Sequence, residues 1–88
     1  MKVKIMKLSE NEVQEKGIKK WPVWEKEISR FNWEYDSEEH CQILEGQVIV
    51  ETDEGNVELK AGDYVIFEAG LKCVWDIKKN IKKHYNFY

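Results

Sequence analysis

Several residue types are scarce in this sequence, and each shortage argues against a class of protein. Among 88 residues there are one proline, one arginine, two cysteines and two histidines, and the net charge is −3. No run of basic side chains is interleaved with aromatic ones, so the charge pattern that phosphate contacts require is missing. We therefore predict that the protein has no nucleic-acid partner.

Long apolar stretches are missing as well. No apolar run approaches the roughly 20 residues of a membrane span, and the N-terminal MKVKIMKLSENE lacks the apolar segment of a signal peptide. Cys41 and Cys73 form no C-x-x-C motif, and we interpret both as small buried side chains in a reducing compartment. These features predict a cytoplasmic protein that does not associate with membranes.

The residues that are present suit one small domain. The chain is 42% hydrophobic and 12% aromatic, which is enough for one core, and it is too short for two domains. Charged residues make up 35% of the chain and are almost all Lys, Glu and Asp, a composition that hints at a thermophilic source. The net charge is +3 over residues 1–33, −10 over 34–68 and +4 over 69–88, so the middle of the chain is predicted to form an acidic surface.

Only the N-terminal third contains a helix signal. Ser9 and Glu12 have the spacing of a capping box, and Gly17 is placed to end the helix, so we predict a helix over residues 10–16. Pro22 favours an extended segment after it. No further helix is expected.

From residue 28 onward, short runs rich in β-branched and aromatic residues alternate with turn signals, which is typical of an all-β protein. Breaks are predicted at residues 35–37, 45–46, 53–55, 61–63, 68–70 and 78–80. The strands expected between them cover residues 40–44, 47–52, 56–59, 64–67, 71–77 and 81–87.

The stretch EEHCQILEG, residues 38–46, has the residue types of a metal site but the geometry of a strand. Side chains alternate across a strand, so Glu39, Cys41 and Ile43 share one face while Glu38 and His40 share the other. A metal ion needs three or four convergent ligands. No metal site is therefore expected from this stretch alone.

Two longer runs, ILEGQVIVETDEG and LKAGDYVIFEAGLKCVW, resemble the two conserved motifs of the cupin superfamily. Six residues separate Glu39 from Gly46, as in the first motif, and Gly62, Gly70 and Cys73 keep the spacing of the second, with Cys73 in place of its histidine. The resemblance covers residues 28–88 and implies an all-β fold, a cupin-type antiparallel jelly-roll barrel with a short N-terminal helix. The whole of residues 1–88 is then a single cupin domain, with an N-terminal strand and helix in 1–27 and the barrel core in 28–88.

Within the superfamily, the segments KWPVW, GLKCVWDI and KHYNFY resemble the small cupins grouped with the (S)-ureidoglycine aminohydrolase cupin domain. Most members of that group are single-domain proteins without an assigned activity, whereas the aminohydrolases hold a manganese ion at four barrel positions. In this chain those positions read Trp33, Tyr35, Glu39 and Cys73; a first motif longer by one residue would place residues 32 and 34 there instead. An indole has no lone pair to donate and a neutral phenol is a poor ligand, so no metal is expected. If a manganese or zinc ion binds, Glu39 and Cys73 are its candidate ligands.

Two interpretations of these positions remain open. In the first, an aromatic pocket binds a small planar or sugar-like metabolite without the usual three-histidine metal site, and its candidate lining residues are Trp33, Tyr35, Glu39, Cys73 and Trp75. In the second, the aromatic side chains simply fill a small barrel.

Glu39 is the strongest single candidate for a functional residue. Burial among aromatic rings is expected to raise the pKa of the Glu39 carboxyl, and a carboxyl of raised pKa suits a general acid or base. In the alternative, Glu39 has a structural role and forms a hydrogen bond with Tyr35 or Trp33. The alternative function is that of a metal-dependent enzyme resembling (S)-ureidoglycine aminohydrolase. Whether the protein is an enzyme stays open, and the resemblance also allows a homodimer.

Overall fold

The computed structural model describes residues 2–88. Within that part of the chain one α-helix and seven strands follow each other, and every strand pairing is antiparallel. The elements are β1 (Val3–Met6), α1 (Glu10–Lys16), β2 (Val23–Lys26), β3 (Ser29–Glu34), β4 (Glu39–Thr52), β5 (Gly55–Lys60), β6 (Tyr64–Phe67) and β7 (Lys72–Phe87). The predicted β-rich fold with a short N-terminal helix is confirmed.

Helix α1 has the predicted bounds because its capping box forms. The Ser9 hydroxyl accepts a hydrogen bond from the Glu12 amide at 3.2 Å, and the Glu12 carboxylate accepts one from the Ser9 amide at 2.9 Å. Gly17 ends the helix with a φ of 67°. A short 3₁₀ helix, Ile18–Lys20, follows directly. The expectation of no further helix was therefore wrong: the amides of Lys20 and Trp21 donate hydrogen bonds to the carbonyls of Gly17 and Ile18, and Ile18 is fully buried.

The two long strands β4 and β7, of 14 and 16 residues, pair with each other at the centre of the sheet. Along its other edge, β4 pairs first with β6 and then with β5. Strand β7 pairs in the same way first with β3 and then with β2, while β1 extends the sheet beyond β6. Each half of the central pair is thus flanked by different short strands.

The turns predicted at residues 45–46 and 78–80 are not present, because both strands run through these positions. The β4–β7 register instead shifts between Ile43 and Val48, as it does at β-bulges. Gly46 has a φ of 101°, and a Cβ atom there would lie 2.9 Å from the Cα of Ile81 and would meet the backbone carbonyl of Asn80. Since a glycine within a strand marks a bulge as readily as a turn, the sequence signal was genuine but its interpretation was wrong.

The expected closed barrel is also not observed. The strand order β1-β6-β4-β7-β2 is open, with β3 and β5 as branches, so the pairings within residues 2–88 do not close. The strands at the two ends of this order, β1 and β2, have only four residues each, and they pair with β6 and β7 rather than with each other.

One core joins the two halves of the sheet. The inner-face side chains of the β6 half, such as Cys41 and Phe67, belong to the same buried cluster as Val50 and Trp75 of the β5 half. Both cysteines are buried and free, as predicted. In the described part of the chain, no helix has the length and apolar character needed to cross a membrane.

Candidate functional site

A cavity of about 200 Å³ opens on the inner face of the sheet. Strands β2, β3 and β7, the first residue of β4 and Tyr35 in the connection after β3 supply its walls, because alternate side chains of each strand point to the same side. Seven of the nine lining residues are aromatic: Trp24, Phe31, Trp33, Tyr35, Glu39, Trp75, Lys83, Tyr85 and Phe87. The other two, Glu39 and Lys83, carry opposite charges.

Glu39 and Lys83 form a buried ion pair in this cavity. The Lys83 ammonium donates a hydrogen bond to Oε2 of Glu39 at 2.6 Å, and the two residues are only 6% and 3% exposed respectively. Lys83 lies opposite Ile43 in the β4–β7 register, so its long side chain reaches along β4 to Glu39. A buried pair of this kind keeps each charge compensated where water is largely excluded.

Two indole rings complete the surroundings of the Lys83 ammonium. Its nitrogen lies 4.8 Å from the ring centroid of Trp75 and 5.0 Å from that of Trp24, and the two rings meet edge to face. Cation–π attraction of this type stabilises a positive charge within an apolar wall. Lys83 therefore contacts the carboxylate of Glu39 on one side and two indole rings on the others.

Tyr35 is held against the core beneath the cavity. Its ring stacks on Phe67 at a centroid distance of 4.6 Å, and its hydroxyl accepts a hydrogen bond from the Trp75 indole at 3.2 Å. Burial, with the negative charge of Glu39 adding to it, raises the pKa of Tyr35 well above the usual range for a phenol. The bond between Glu39 and Tyr35 or Trp33 that the sequence suggested is not observed, because Lys83 is the partner of Glu39 and Trp75 that of Tyr35.

The predicted pocket residues lie at different depths. Trp75 forms a buried wall, whereas Trp33 is 47% exposed and meets the ring of Tyr35 edge to face. Cys73 is buried but lines a separate groove on the other side of Trp33, together with Glu34 and residues at the end of β4. The structure thus brings four of the five predicted residues to the cavity and leaves Cys73 behind its wall.

The four positions that the cupin resemblance implies as metal ligands do not fit that role. Trp33 offers an indole, Tyr35 a phenol that stays protonated, and Glu39 a carboxylate already bound by Lys83. Burial, with the charge of Glu39 adding to it, raises the pKa of Cys73 to about 11, so its thiol is protonated at neutral pH. Within residues 2–88, no three His, Cys, Asp or Glu side chains are grouped so that they could hold a metal ion.

Sequence reasoning missed five lining residues, of which Lys83 matters most. Alternation along a strand places Lys83 on the same face of β7 as Ile81, Tyr85 and Phe87. A lysine in an inward-facing apolar pattern was therefore the available signal.

The histidines lie outside the cavity, on the outer face. His40 contacts the Glu38 carboxylate through Nε2 and the Tyr64 hydroxyl through Nδ1, both at 2.6 Å. His84 contacts the backbone carbonyl of Trp21 through Nδ1 at 3.0 Å. The prediction that His40 and Glu39 point to opposite faces is confirmed.

Comparison with known proteins places this architecture in a family. The model of the EutQ-like cupin domain matches residues 13–85. The chain belongs to this family. The cupin resemblance inferred from the glycine spacing is thereby confirmed, and no curated protein matches the chain.

Solved structures support the assignment of this cupin domain. A crystal structure of a DUF861 family protein from Thermotoga maritima is 45% identical and has a TM-score of 0.95, covering 98% of this chain and 99% of that one. The EutQ protein of Clostridium difficile is 17% identical with a TM-score of 0.70, covering 98% of this chain and 67% of that one. The second likeness shows the fold alone. The chain is thus a small cupin domain of the DUF861 family, a family of unknown function.

Proposed function

We propose that this cupin domain binds a small planar molecule in its aromatic cavity, with the Glu39–Lys83 pair holding the polar edge of the ligand and no metal taking part. The observation that carries this proposal is a buried ion pair that lines a cavity whose other lining residues are all aromatic. Ligand sites typically combine apolar walls with a few placed polar groups in this way.

The size of the cavity limits the ligand to about one ring. A cavity of roughly 150 Å³ is enough to hold benzene, whereas pockets for drug-sized ligands begin at roughly 300 Å³. At about 200 Å³, this cavity suits one ring with a small substituent. The rings of Trp24, Phe31 and Trp75 line the cavity and would contact such a ring.

The Glu39–Lys83 ion pair determines which polar substituent the ring of the ligand should carry. A ligand that adds only an acceptor would engage Lys83 and leave the carboxylate unused, and one that adds only a donor would do the reverse. A group with a donor and an acceptor side by side, such as a primary amide, meets both Glu39 and Lys83 without separating their charges. We therefore expect amide-like polar edges to bind best.

The test uses benzamide as the probe and toluene as its apolar counterpart, with binding followed by isothermal titration calorimetry and tryptophan fluorescence. Benzamide is expected to bind saturably and about tenfold more tightly than toluene, the effect of roughly 1.4 kcal/mol from the polar edge. Trp24→Ala should abolish binding because it removes a wall of the cavity. Trp21→Phe, outside the cavity lining, should leave it unchanged.

If neither benzamide nor toluene binds saturably, the aromatic side chains only fill the interior and the proposal is wrong. The alternative function, a metal-dependent reaction of the (S)-ureidoglycine aminohydrolase kind, is supported by one observation: Glu39 occupies the glutamate position of the family motif, close enough to Cys73 for its charge to raise the pKa of that thiol. Metal content separates the two functions, because stoichiometric manganese or zinc would favour the second.

A further inference from the structure

We propose that Lys83 is a covalent site for carbonyl compounds, forming an imine with a small aldehyde or ketone that enters the aromatic cavity. This inference rests on the proposed function only in requiring that a small molecule reach the same cavity. It assigns a reaction, rather than simple binding, to the amine of Lys83.

The surroundings of Lys83 differ from those of the surface lysines. The side chain of Lys83 is 7% exposed, whereas that of Lys19 is 67% exposed. Lysines that form imines in proteins are commonly desolvated in apolar pockets, where water is excluded and a carbonyl carbon can approach the nitrogen. Here the nitrogen borders a cavity whose other walls are mainly aromatic rings.

Glu39 supplies the proton transfers that imine formation needs. Across the 2.6 Å contact, the Lys83 ammonium gives a proton to the carboxylate, which leaves a neutral amine beside a carboxylic acid. The nitrogen lone pair then attacks the carbonyl carbon, so a C–N bond forms while the π electrons of the C=O bond move to oxygen. Glu39 passes its proton to that oxygen and takes another from nitrogen, which gives a carbinolamine.

The second half of the reaction uses the same acid. Glu39 donates its proton to the carbinolamine hydroxyl, the C–O bond breaks, and water leaves while the nitrogen lone pair forms the C=N bond. The balance is one ammonium and one carbonyl compound converted to one iminium and one water, with Glu39 ionised again. No oxidant, reductant or metal ion is needed.

The same site also suits the product. An iminium carries the same positive charge as the ammonium it replaces, so it keeps the attraction of Glu39 and of the two flanking indoles. The apolar walls limit the access of water that would hydrolyse it. Reactant and product are thus both accommodated without creating an unpaired buried charge.

The experiment treats the intact protein with benzaldehyde and sodium cyanoborohydride, which traps an imine as a benzyl amine. Tryptic peptide mapping by mass spectrometry then gives the labelling rate of each lysine. Lys83 is expected to react about a hundredfold faster than Lys19, the usual scale of general acid–base assistance. Glu39→Gln should slow labelling at Lys83 by a similar factor of about 100 and leave Lys19 unaffected.

Labelling of Lys83 no faster than Lys19 in the wild-type protein would overturn the inference, and this readout does not depend on any variant folding. Benzamide should protect Lys83 but not Lys19 if both molecules use the same cavity. If benzamide binds but Lys83 is not labelled preferentially, the inference fails and the proposed binding function stands. If Lys83 is labelled preferentially but benzamide does not bind, the binding function fails and the covalent site stands.

Discussion

Lys83 donates a hydrogen bond to Glu39 at 2.6 Å, although 44 residues separate the two in the chain. Neither residue is in direct register with the other, since Lys83 lies opposite Ile43 and Glu39 opposite Phe87. Their contact depends on the long lysine side chain and on a shared inner face. It places a compensated pair of charges within the aromatic cavity.

Replacing one member of the pair should destabilise the fold. Lys83→Met leaves Glu39 buried without its partner and is expected to lower the free energy of unfolding by about 3–5 kcal/mol. The double variant Lys83→Met with Glu39→Leu should recover most of that loss, because no unpaired charge remains. Urea denaturation followed by tryptophan fluorescence gives the free energy of unfolding of the wild-type protein, the single variant and the double variant.

The neighbouring Lys82 provides the matched control for Lys83→Met. Its side chain is 40% exposed and lies 3.9 Å from the Glu45 carboxylate, so Lys82→Met should cost less than about 1 kcal/mol. A Lys83→Met variant as stable as Lys82→Met would contradict the predicted penalty of leaving Glu39 buried without a partner.

The bulge glycine should resist substitution more strongly than a turn glycine. Gly46→Ala combines an unfavourable positive φ with overlap against the backbone of Asn80 and Ile81, and Gly55→Ala has only the unfavourable φ of 124° because nothing lies within 4 Å. The strained φ alone costs about 1–3 kcal/mol, so Gly46→Ala should exceed Gly55→Ala in loss of unfolding free energy. Equal losses would contradict the close approach of β4 and β7 at this bulge.

Stability should fall with rising pH above about pH 9. Burial raises the pKa of Cys41 from 9.0 to about 12 and that of Cys73 from 9.0 to about 11. Between these values and 9.0 the unfolded chain has lost thiol protons that the folded protein retains, so proton release favours unfolding. The stabilisation is complete below about pH 9 and is lost as pH rises towards 11.

Urea denaturation at several pH values from 8 to 11 measures this slope. Cys41→Ala and Cys73→Ala should each reduce the fall in unfolding free energy across that range, because each removes one group that ionises only after unfolding. If both variants retain the full wild-type slope, the thiols are not its source.

Metal content should distinguish the two candidate functions. After incubation with manganese or zinc and removal of free ions, we expect elemental analysis to find no stoichiometric metal. The Glu39 carboxylate already forms an ion pair with Lys83, and the Cys73 thiol stays protonated at neutral pH. One metal ion per chain, lost on Glu39→Gln or Cys73→Ser, would instead favour the metal-dependent function.

Features that act over a few residues were predictable from the sequence. The Ser9–Glu12 capping box and the left-handed Gly17 place α1 correctly, since their hydrogen bonds lie within the helix itself. The inward direction of Glu39 also followed, because alternation along a strand is a local property. The glycine spacing, which reflects turns and bulges along the chain, was enough to indicate the cupin family that the EutQ-like domain match confirms.

The tertiary structure alone decided which of these residues meet. Gly46 lies in a bulge rather than a turn because β7 pairs with β4 on both sides of it, and Lys83 neutralises Glu39 because the register of those strands brings their side chains together. Cys73 lies behind the wall of the cavity for the same reason. Contacts between residues so far apart in the chain depend on strand register, which no local pattern encodes.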